Sequence, residues 1–226
     1  MLDGSEGRHA ATVRRIRVGE EIDLADGEGG VAAAQVTAVG RGNLELMVGA
    51  VRTAARPDPR IVVVQALLKG DRAELAVELA TEAGVDVIVP WAAQRCVAQW
   101  SADRAPRHLE RWRAAAVAAA KQSRRDWWPN VEPLAGTDDV VRRLEAAGAP
   151  LVLHESGTGS LSEFVAPASG DVVLVVGPEG GIADDELARL LAAPARSYRL
   201  APHVFRGSSA GAFASAALSL PLGRWT

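Results

Sequence analysis

Three short segments of the sequence combine residue types that could bind a small ligand and act on it. They are His154-Glu155-Ser156-Gly157, Gly177-Pro178-Glu179-Gly180-Gly181 and the stretch from Leu200 to Gly211. Each follows a run typical of a strand, and ligands of open α/β sheets bind beyond the carboxyl ends of the strands. Glycines at such places let a ligand approach the backbone and leave amide groups free. These segments are therefore the candidate binding places.

The segment around Gly177 does not have the pattern of a nucleotide phosphate site. It fails the G-x-G-x-x-G pattern, and no G-x-x-x-x-G-K-[ST] loop occurs in the sequence. The acids Asp184, Asp185 and Glu186, at the start of the next predicted helix, would repel a phosphate. A neutral or cationic ligand, such as a nucleoside that carries a sulfonium, suits this place better. A plain strand-to-helix turn is the alternative.

The segment Gly207-Ser208-Ser209-Ala210-Gly211 matches G-x-S-x-G, the nucleophile elbow of α/β-hydrolases. That fold places its catalytic acid and histidine after the serine in the chain. No Asp, Glu or His follows Ser209, so the chain order excludes a hydrolase of this type.

The elements that would position these segments follow from hydrophobic periodicity after residue 59. Ile61–Val64 is a continuous apolar run, typical of a strand buried on both faces. Further strands are predicted at 85–89, 151–153, 172–176 and 198–200, with helices near 71–84, 104–125, 138–147, 183–192 and 210–220. This alternation predicts an α/β fold with a parallel sheet and helices on both faces.

Two of the predicted helices have apolar stripes that indicate which face packs on the sheet. In the first, Asp71 is the expected N-cap and Gly84 the stop signal. Its expected stripe is Leu75, Ala76, Leu79, Ala80 and Ala83. In the long helix, the expected stripe is Leu109, Trp112, Ala116 and Ala119.

The first part of the chain has strand-like rather than helical patterns. Residues 21–24, 31–39 and 43–48 are β-rich or alternating, and glycine-rich turns separate them. The run Arg56-Pro57-Asp58-Pro59-Arg60 then interrupts regular structure. We therefore expect a small β-barrel or sheet domain at 1–58 and the α/β domain at 59–226.

Composition narrows the class of protein. The chain has 226 residues, 48% hydrophobic and 23% charged, which is typical of one or two globular domains. A single cysteine, Cys96, excludes a disulfide framework and a multi-thiolate zinc site, and the four histidines show no metal-ligand spacing. The acidic start and the lack of a long apolar run favour a cytoplasmic protein without a membrane span.

The net charge of −3 hides a basic segment from Arg104 to Arg125, which contains seven basic residues and one acid. Arg124 and Arg125 precede Trp127 and Trp128, a combination that could contact phosphates beside stacking surfaces. A solvated helix face and buried tryptophans are the alternative interpretation.

Motifs along the whole chain resemble those of the bacterial 16S ribosomal RNA (uracil-N3)-methyltransferase family, in the knotted SPOUT class. Besides the segments around Gly177 and Leu200, the matching runs are Gly7 to Arg17, Gln65 to Arg72, Glu78 to Gly84, Arg111-Trp112, Gln122-Ser123-Arg124 and His154-Glu155. Their order and spread make the resemblance far more specific than any single motif.

The resemblance implies an N-terminal PUA-like β-barrel that holds RNA and an α/β domain with a trefoil knot. It implies S-adenosylmethionine as the cofactor, 16S ribosomal RNA of the small subunit as the substrate, and a homodimer with the site near the subunit interface. By family position, the cofactor would contact His154, Glu155, Gly177, Pro178, Glu179, Gly180, Leu200, Ala201, Pro202, Phe205, Ser209 and Ala210. RNA would contact Arg8, His9, Arg14, Arg15, Lys69, Arg72, Gln122, Arg124 and Arg125. No metal is implied.

The chemistry of such a reaction is compatible with these residues. Methylation of uracil N3 requires loss of the N3 proton and in-line attack on the sulfonium methyl, without a cysteine nucleophile. Arg206 could stabilise the uracil oxygen as negative charge develops, and a salt bridge is its alternative role. His154 and Glu155 are the candidates for taking the proton, with a structural role for His154 as the other possibility.

The sequence departs from the family pattern in three places. Ala201 replaces a glycine, which we expect to narrow the approach to the cofactor. Gly207-Ser208-Ser209 replaces a threonine-rich turn, which we expect to loosen that turn. The family's first strand, which precedes Gly7, is not found, so an unpaired sheet edge is expected. These departures keep two alternatives open, a non-catalytic RNA-binding or ribosome-assembly factor and a methyltransferase for another base or a small molecule.

Overall fold

The computed structural model of the protein describes residues 1–225. These residues form two compact units, one of Met1–Arg56 and one that begins at Pro57.

The first unit is a three-stranded antiparallel sheet preceded by two short helical segments. Helix α1 (Gly4–Arg8) and a π-helical turn (His9–Val13) lead to β1 (Glu21–Ala25), β2 (Gly30–Val39) and β3 (Leu44–Thr53), which pair in the order β1-β2-β3. Val36, Leu44 and Ala10 form its small core. The three predicted strands are confirmed, and β3 is longer than predicted.

The strands of the first unit lie in the linear order β1-β2-β3, which agrees with the expected small sheet domain with an unpaired edge. Leu2 makes an antiparallel bridge to Leu44 at one end of β3. Over the rest of β3 the side chains are mostly exposed, including Met47, Val48 and Val51. The outer edge of β3 is therefore open along most of its length within the described residues.

The second unit contains a seven-stranded sheet in which all pairs of neighbours are parallel. The strands are β4 (Ile61–Ala66), β5 (Val87–Trp91), β6 (Asn130–Val131), β7 (Ala149–Leu153), β8 (Gly159–Ser160), β9 (Val172–Val176) and β10 (Arg196–Arg199). Their spatial order is β6-β5-β4-β9-β7-β10-β8. From β4 the chain adds β5 and β6 on one side of that strand, and the later strands all lie on its other side. A topological switch point therefore lies between β4 and β9.

The helices of the second unit are α2 (Arg72–Glu82), α3 (Ala105–Gln122), α4 (Thr137–Glu145), α5 (Asp184–Ala192) and α6 (Gly207–Ser219). Helix α2 packs against α3 and α6, whereas α4 packs against α5. Every residue of β4, β5 and β9 is buried, which requires cover on both faces of the sheet. The predicted α/β class is therefore confirmed, and the trefoil knot stays a prediction. Among the helices within residues 1–225, none combines the length and hydropathy needed to cross a membrane.

Several boundaries and faces differ from the sequence predictions. Of the stripe predicted for α2, Ala76, Ala80 and Ala83 are buried, whereas Leu75 is 43% exposed. Val77 and Thr81 are buried as well, so the inner face of α2 extends to that side of the predicted stripe. Asp71 occupies the N-cap position but makes no capping hydrogen bond with its side chain. The stripe of α3 is confirmed, except that Leu109 is only half-buried. Strands β6 and β8 were not predicted, because two residues show no period.

A buried ion-pair cluster lies at the amino-terminal edge of the sheet. The Asp86 carboxylate, which precedes β5, contacts Nη2 of Arg125 at 3.2 Å and Nη2 of Arg224 at 2.6 Å. It also accepts a hydrogen bond from the Ile61 amide at 2.8 Å. The side chains of Asp86, Arg125 and Arg224 are 8%, 13% and 14% exposed. This cluster joins the start of β4, the end of α3 and the C-terminal segment.

Burial and charge act in opposite directions on this cluster. Burial lowers the pKa of Arg125, while the neighbouring Asp86 carboxylate opposes that shift. Asp86 therefore compensates two guanidinium groups that have lost most of their hydration.

We expect Asp86→Ala to lower the free energy of unfolding by about 3 kcal/mol, because it leaves two buried guanidinium groups without a counter-charge. Urea denaturation of the full chain measures this. Arg142→Ala, which removes an exposed ion pair with Asp139 on α4, serves as the control and should cost no more than about 0.5 kcal/mol. Equal losses in the two variants would contradict the prediction.

Candidate functional site

A cavity of about 640 Å³ opens at the carboxyl ends of the central strands of the second unit. It is lined by residues that follow β7, β9 and β10, and by Arg72 from the start of α2 after β4. Its volume lies within the range of roughly 300–1,000 Å³ that is common for small-molecule sites. The three segments singled out from the sequence therefore converge on one cavity at the switch point of the sheet.

Most of the predicted cofactor contacts line this cavity. They are His154, Glu155, Gly177, Pro178, Glu179, Gly180, Leu200, Ala201, Pro202, Phe205 and Ala210, together with the predicted catalytic residue Arg206. Ser209 does not line it, because its hydroxyl turns back to donate to the carbonyl of Arg206 at 3.3 Å. Ser208 lines the cavity in its place.

Sequence patterns missed several lining residues. They include Arg95, Ile182 and Arg199, which lie outside the three segments singled out from the sequence. No sequence pattern indicates a role for Arg95, because it lies in an irregular stretch after β5. Its guanidinium donates to the Ile182 carbonyl at 3.4 Å and lies 3.8 Å from the Asp184 carboxylate.

The glycine-rich loop after β9 fits closely against its surroundings. A side chain at Gly177 would place Cβ 2.7 Å from Ile182, and one at Gly180 would place Cβ 3.2 Å from the Arg95 carbonyl oxygen. Gly181 has φ +72°, a conformation that favours glycine. The loop therefore follows a path that larger residues at these positions would disturb.

Two cation–carboxylate pairs border the cavity. Arg72 lies 4.0 Å from Glu179, and Arg95 pairs with Asp184; all four side chains are partly or fully exposed. A hydrogen bond from the Gln94 side chain at 2.6 Å lowers the pKa of Asp185, next to this border. These exposed pairs contribute little to stability, so a cationic ligand can replace the arginine beside either carboxylate at a small cost in free energy.

Arg206 combines a fixed backbone with an exposed side chain. It is the N-cap of α6, and its carbonyl accepts hydrogen bonds from the amides of Ser209 and Ala210 at 3.0 and 2.9 Å. Its guanidinium makes no ion pair within the described residues. The base of the side chain is thus held at the cavity, and its charge is available to a ligand.

His154 is held by the residue two positions after it. The Nδ1 atom of His154 accepts from the Ser156 amide at 3.3 Å and lies 2.7 Å from the Ser156 hydroxyl. An accepting Nδ1 leaves the proton of a neutral ring on Nε2. In that tautomer His154 is a hydrogen-bond donor toward a ligand, which leaves the exposed Glu155 as the better proton acceptor.

The two departures from the family pattern in the third segment do not distort it. Ala201 lies outside the left-handed backbone region, so its methyl group is compatible with the local conformation. Gly207 is enclosed rather than loose, since a Cβ there would lie 3.1 Å from Leu68 and 3.3 Å from the Gly177 carbonyl oxygen. The surroundings of Gly207 therefore leave little room for a side chain at this position, and the expected loosening of the turn stays a prediction.

The predicted RNA contacts of the second unit fall at two ends of the sheet. Lys69 and Arg72 follow β4 at the cavity end. Gln122 and Arg124 lie at the end of α3 near Asp86, at the amino-terminal edge of the sheet.

Arg125 has a structural role instead of the predicted contact with RNA. Its guanidinium donates to the Thr81 and Val85 carbonyls at 2.9 and 2.5 Å and pairs with Asp86. Arg124 is exposed, with a left-handed backbone at φ 54°. The left-handed backbone at Arg124 directs these adjacent arginines to different environments. The guanidinium of Arg125 is occupied within the fold, so Arg125 is not a candidate for contact with RNA.

Other charges of the basic segment are also partly compensated. Arg111 pairs with Glu74 of α2 at 2.6 Å, and Lys121 lies 5.3 Å from the centre of the Trp128 ring. Trp127 and Trp128 are half-buried. The positive charge that this segment presents to solvent is therefore smaller than its composition indicates.

The predicted RNA contacts of the first unit lie on its surface. Arg8, His9, Arg14 and Arg15 are exposed, and Arg15 has a left-handed backbone at φ 53°. They occur in and around the π-helical turn His9–Val13. This basic surface belongs to the first unit alone.

Comparisons with known proteins cover nearly the whole chain. A family model described as an RNA methyltransferase domain matches residues 56–219, and one described as an RNA methyltransferase PUA domain matches residues 2–47. The ribosomal RNA small subunit methyltransferase E of Mycobacterium tuberculosis is 48% identical over 229 residues, covering 100% of this chain and 87% of the relative. The Bacillus subtilis protein of the same name is 27% identical, with coverages of 96% and 88%.

Two solved structures agree with this. A ribosomal RNA small subunit methyltransferase E from Neisseria gonorrhoeae, bound to S-adenosyl methionine, superposes with a TM-score of 0.84 at 28% identity, over 94% of this chain and 87% of that one. A methyltransferase from Legionella pneumophila, in complex with the bound cofactor SAM, has a TM-score of 0.85 at 26% identity, with coverages of 95% and 88%.

We expect Cys96 to be unreactive in the folded chain. It is 9% exposed, and burial raises the pKa of its thiol, so little thiolate forms near neutral pH. Alkylation by iodoacetamide at pH 8 should be at least about tenfold slower in buffer than in 8 M urea. Equal rates would contradict the burial of this thiol and reopen a role for it as a nucleophile.

Proposed function

Because this chain belongs to the RNA methyltransferase family, we propose that it transfers a methyl group from S-adenosylmethionine to N3 of a uridine in 16S ribosomal RNA. The observation that carries this proposal is the convergence of the three family segments on one cavity, with Arg206 at its border. The 48% identity over the full chain to a ribosomal RNA small subunit methyltransferase E supports the substrate class.

The lining of the cavity suits S-adenosylmethionine. Leu153, Val176, Leu200 and Phe205 offer apolar surface for an adenine and a ribose, and the loop from Gly177 to Gly181 brings backbone close to the cavity. Glu155, Glu179 and Asp184 are carboxylates that attract the positive charges of the sulfonium and the amino group. When bound, the cofactor supplies an activated methyl group, and the proposal therefore needs no metal ion.

In this proposal Arg206 stabilises the uracil during methylation. As N3 loses its proton, negative charge spreads to the uracil oxygens, and a guanidinium held at the cavity stabilises that charge. The hydrogen bonds to the carbonyl of Arg206 fix the backbone from which this side chain extends. Glu155, exposed at the same cavity, takes the N3 proton in this proposal, while His154 donates a hydrogen bond from Nε2 to a ligand oxygen.

RNA binding involves basic groups of both units. At the cavity, Arg72, Arg199 and Arg206 provide positive charge next to the reacting base, and Lys69 is exposed nearby. The first unit, which matches the RNA methyltransferase PUA domain, offers Arg8, Arg14 and Arg15 for phosphate contacts. Since ribosomal RNA is the substrate, we place the protein in the cytoplasm.

The departures at Ala201 and Gly207 do not favour a non-catalytic alternative. A degenerate factor would show a blocked or distorted cofactor pocket. Instead, Ala201 has an ordinary backbone conformation, Gly207 is well packed, and the cavity remains open. Identification of the modified nucleotide by mass spectrometry of treated small subunits separates N3 of uridine from any other base.

A homodimer is part of the proposal. Helix α6 contains no charged residue, and its outer face exposes Phe213 and Ala217, with Leu220 just beyond the helix. Surface helices normally expose polar residues on that side. Phe205 lies 4.9 Å from Phe213, ring centre to ring centre, so this apolar face continues to the border of the cavity. A second copy of the chain would cover this face and place the two cavities near the interface.

We expect Arg206→Ala to lower kcat for methylation of small ribosomal subunits about 100-fold, because it removes the cation that stabilises the developing charge. Calorimetry should find the Kd for S-adenosylmethionine changed by less than about threefold. Arg189→Ala, on the outer side of α5, is the control and should retain full kcat. A normal kcat in Arg206→Ala would exclude this role for Arg206.

We expect Phe213→Glu to convert a dimer of the chain into a monomer, because it places a charge in an apolar interface. Light scattering coupled to gel filtration measures the mass in solution. Val165→Glu, at an exposed valine outside α6, should leave the dimer intact. A wild-type chain that is monomeric at micromolar concentration would contradict the proposed homodimer.

A further inference from the structure

Glu186 is a buried carboxylate that the reaction described above does not use. It lies in the first turn of α5, is 0% exposed and does not line the cavity. Burial of a carboxylate is costly unless its oxygens accept hydrogen bonds. Both oxygens of Glu186 do so: Oε1 accepts from the Thr137 hydroxyl at 2.6 Å, and Oε2 accepts from the Gln94 amide at 3.0 Å.

These hydrogen bonds join three segments that are distant in sequence. Thr137 begins α4 and also accepts from the indole N–H of Trp91, the last residue of β5, at 3.3 Å. Gln94 lies in the irregular stretch after β5, and Glu186 follows the glycine-rich loop. The carboxylate is therefore the point at which the end of β5, the start of α4 and the start of α5 meet.

The same junction fixes one wall of the cavity. Arg95, directly after Gln94, donates to the Ile182 carbonyl, and its own carbonyl lies 3.2 Å from where a Cβ of Gly180 would be. Gln94 also donates from its side chain to Asp185. The stretch Gln94–Arg95 and the loop 180–186 thus hold each other, and Glu186 is their buried link.

We propose that Glu186 is a positioning residue for the cofactor pocket. It holds the Gln94–Arg95 stretch against the glycine-rich loop, so that Arg95, Gly180 and Asp184 keep the spacing that S-adenosylmethionine requires. This inference rests on the proposed function for the identity of the ligand. A role in stability alone is the competing explanation, and the position of Asp86 makes the two separable.

Asp86 is a matched carboxylate at the opposite edge of the sheet. It is also buried and also accepts from a backbone amide, but its partners Arg125 and Arg224 lie away from the cavity. Loss of either carboxylate should destabilise the fold. Only loss of Glu186 should disturb the cavity.

The experiment compares Glu186→Gln with Asp86→Asn in the full chain. The side-chain amide that Glu186→Gln introduces has one accepting oxygen where the carboxylate has two. Only one of its two ends can therefore accept a hydrogen bond, whereas the two oxygens of Glu186 accept from both Thr137 and Gln94. We expect both variants to have a lower Tm. We expect Glu186→Gln to raise the Kd for S-adenosylmethionine about tenfold in calorimetry, while Asp86→Asn keeps the wild-type Kd.

A second pair of variants keeps the test valid if Glu186→Gln does not fold. Thr137→Val removes only the hydroxyl that donates to Glu186, and Thr137→Ser retains it. Thr137→Val should weaken cofactor binding and Thr137→Ser should restore it. Hydrogen exchange of the amides in 178–183, measured without ligand, should be faster in Glu186→Gln and Thr137→Val than in the wild type or Asp86→Asn.

The outcomes distinguish the two proposals. If wild type binds S-adenosylmethionine and Glu186→Gln or Thr137→Val binds it equally well, the positioning role is overturned. If the wild type itself binds no S-adenosylmethionine, the proposed function fails, and the exchange rates of 178–183 still decide whether Glu186 fixes the loop. An equal loss of affinity in Asp86→Asn would show a general effect of stability and would also overturn the inference.

Discussion

The seven strands of the second unit run in the same direction, and the site depends on this constraint. In a parallel sheet, all loops that follow strands emerge at one edge. The segments after β7, β9 and β10 are far apart in sequence, yet they line a single cavity. The strand order places β9 between β4 and β7, so the glycine-rich loop lies in the middle of that edge. No local feature of any one segment would bring the others to it.

The two edges of the sheet use buried charge in different ways. At the amino-terminal edge, Asp86 compensates two arginines and joins elements that carry no residue of the cavity lining. At the carboxyl edge, Glu186 accepts hydrogen bonds from neutral donors next to the cavity wall. The exposed pairs that border the cavity contribute little to stability, which leaves their charges available for binding. The fold thus places its buried ion-pair cluster away from the site.

Whether a basic residue is available to bind RNA depends on its partners in the folded chain and not on how many basic residues lie near it in the sequence. The segment from Arg104 to Arg125 is strongly basic in sequence, but Glu74 and Asp86, from outside the segment, compensate Arg111 and Arg125. In contrast, Arg206 has no carboxylate partner within residues 1–225 and borders the cavity. A charged surface for RNA is therefore better inferred from the ion pairs of the folded chain than from local composition.

Sequence patterns alone predict the α/β class, the longer strands and helices, and most of the residues that line the cavity, because strand and helix periods and the glycine motifs are local signals. Three features become visible only in the folded chain. Arg124 and Arg125 have different environments, and the inner face of α2 includes Val77 and Thr81. Arg95 lies in the cavity wall, and Glu186 is buried behind it. These features depend on contacts between residues far apart in the chain, such as Gln94 with Glu186, and such contacts leave no periodic pattern in either segment.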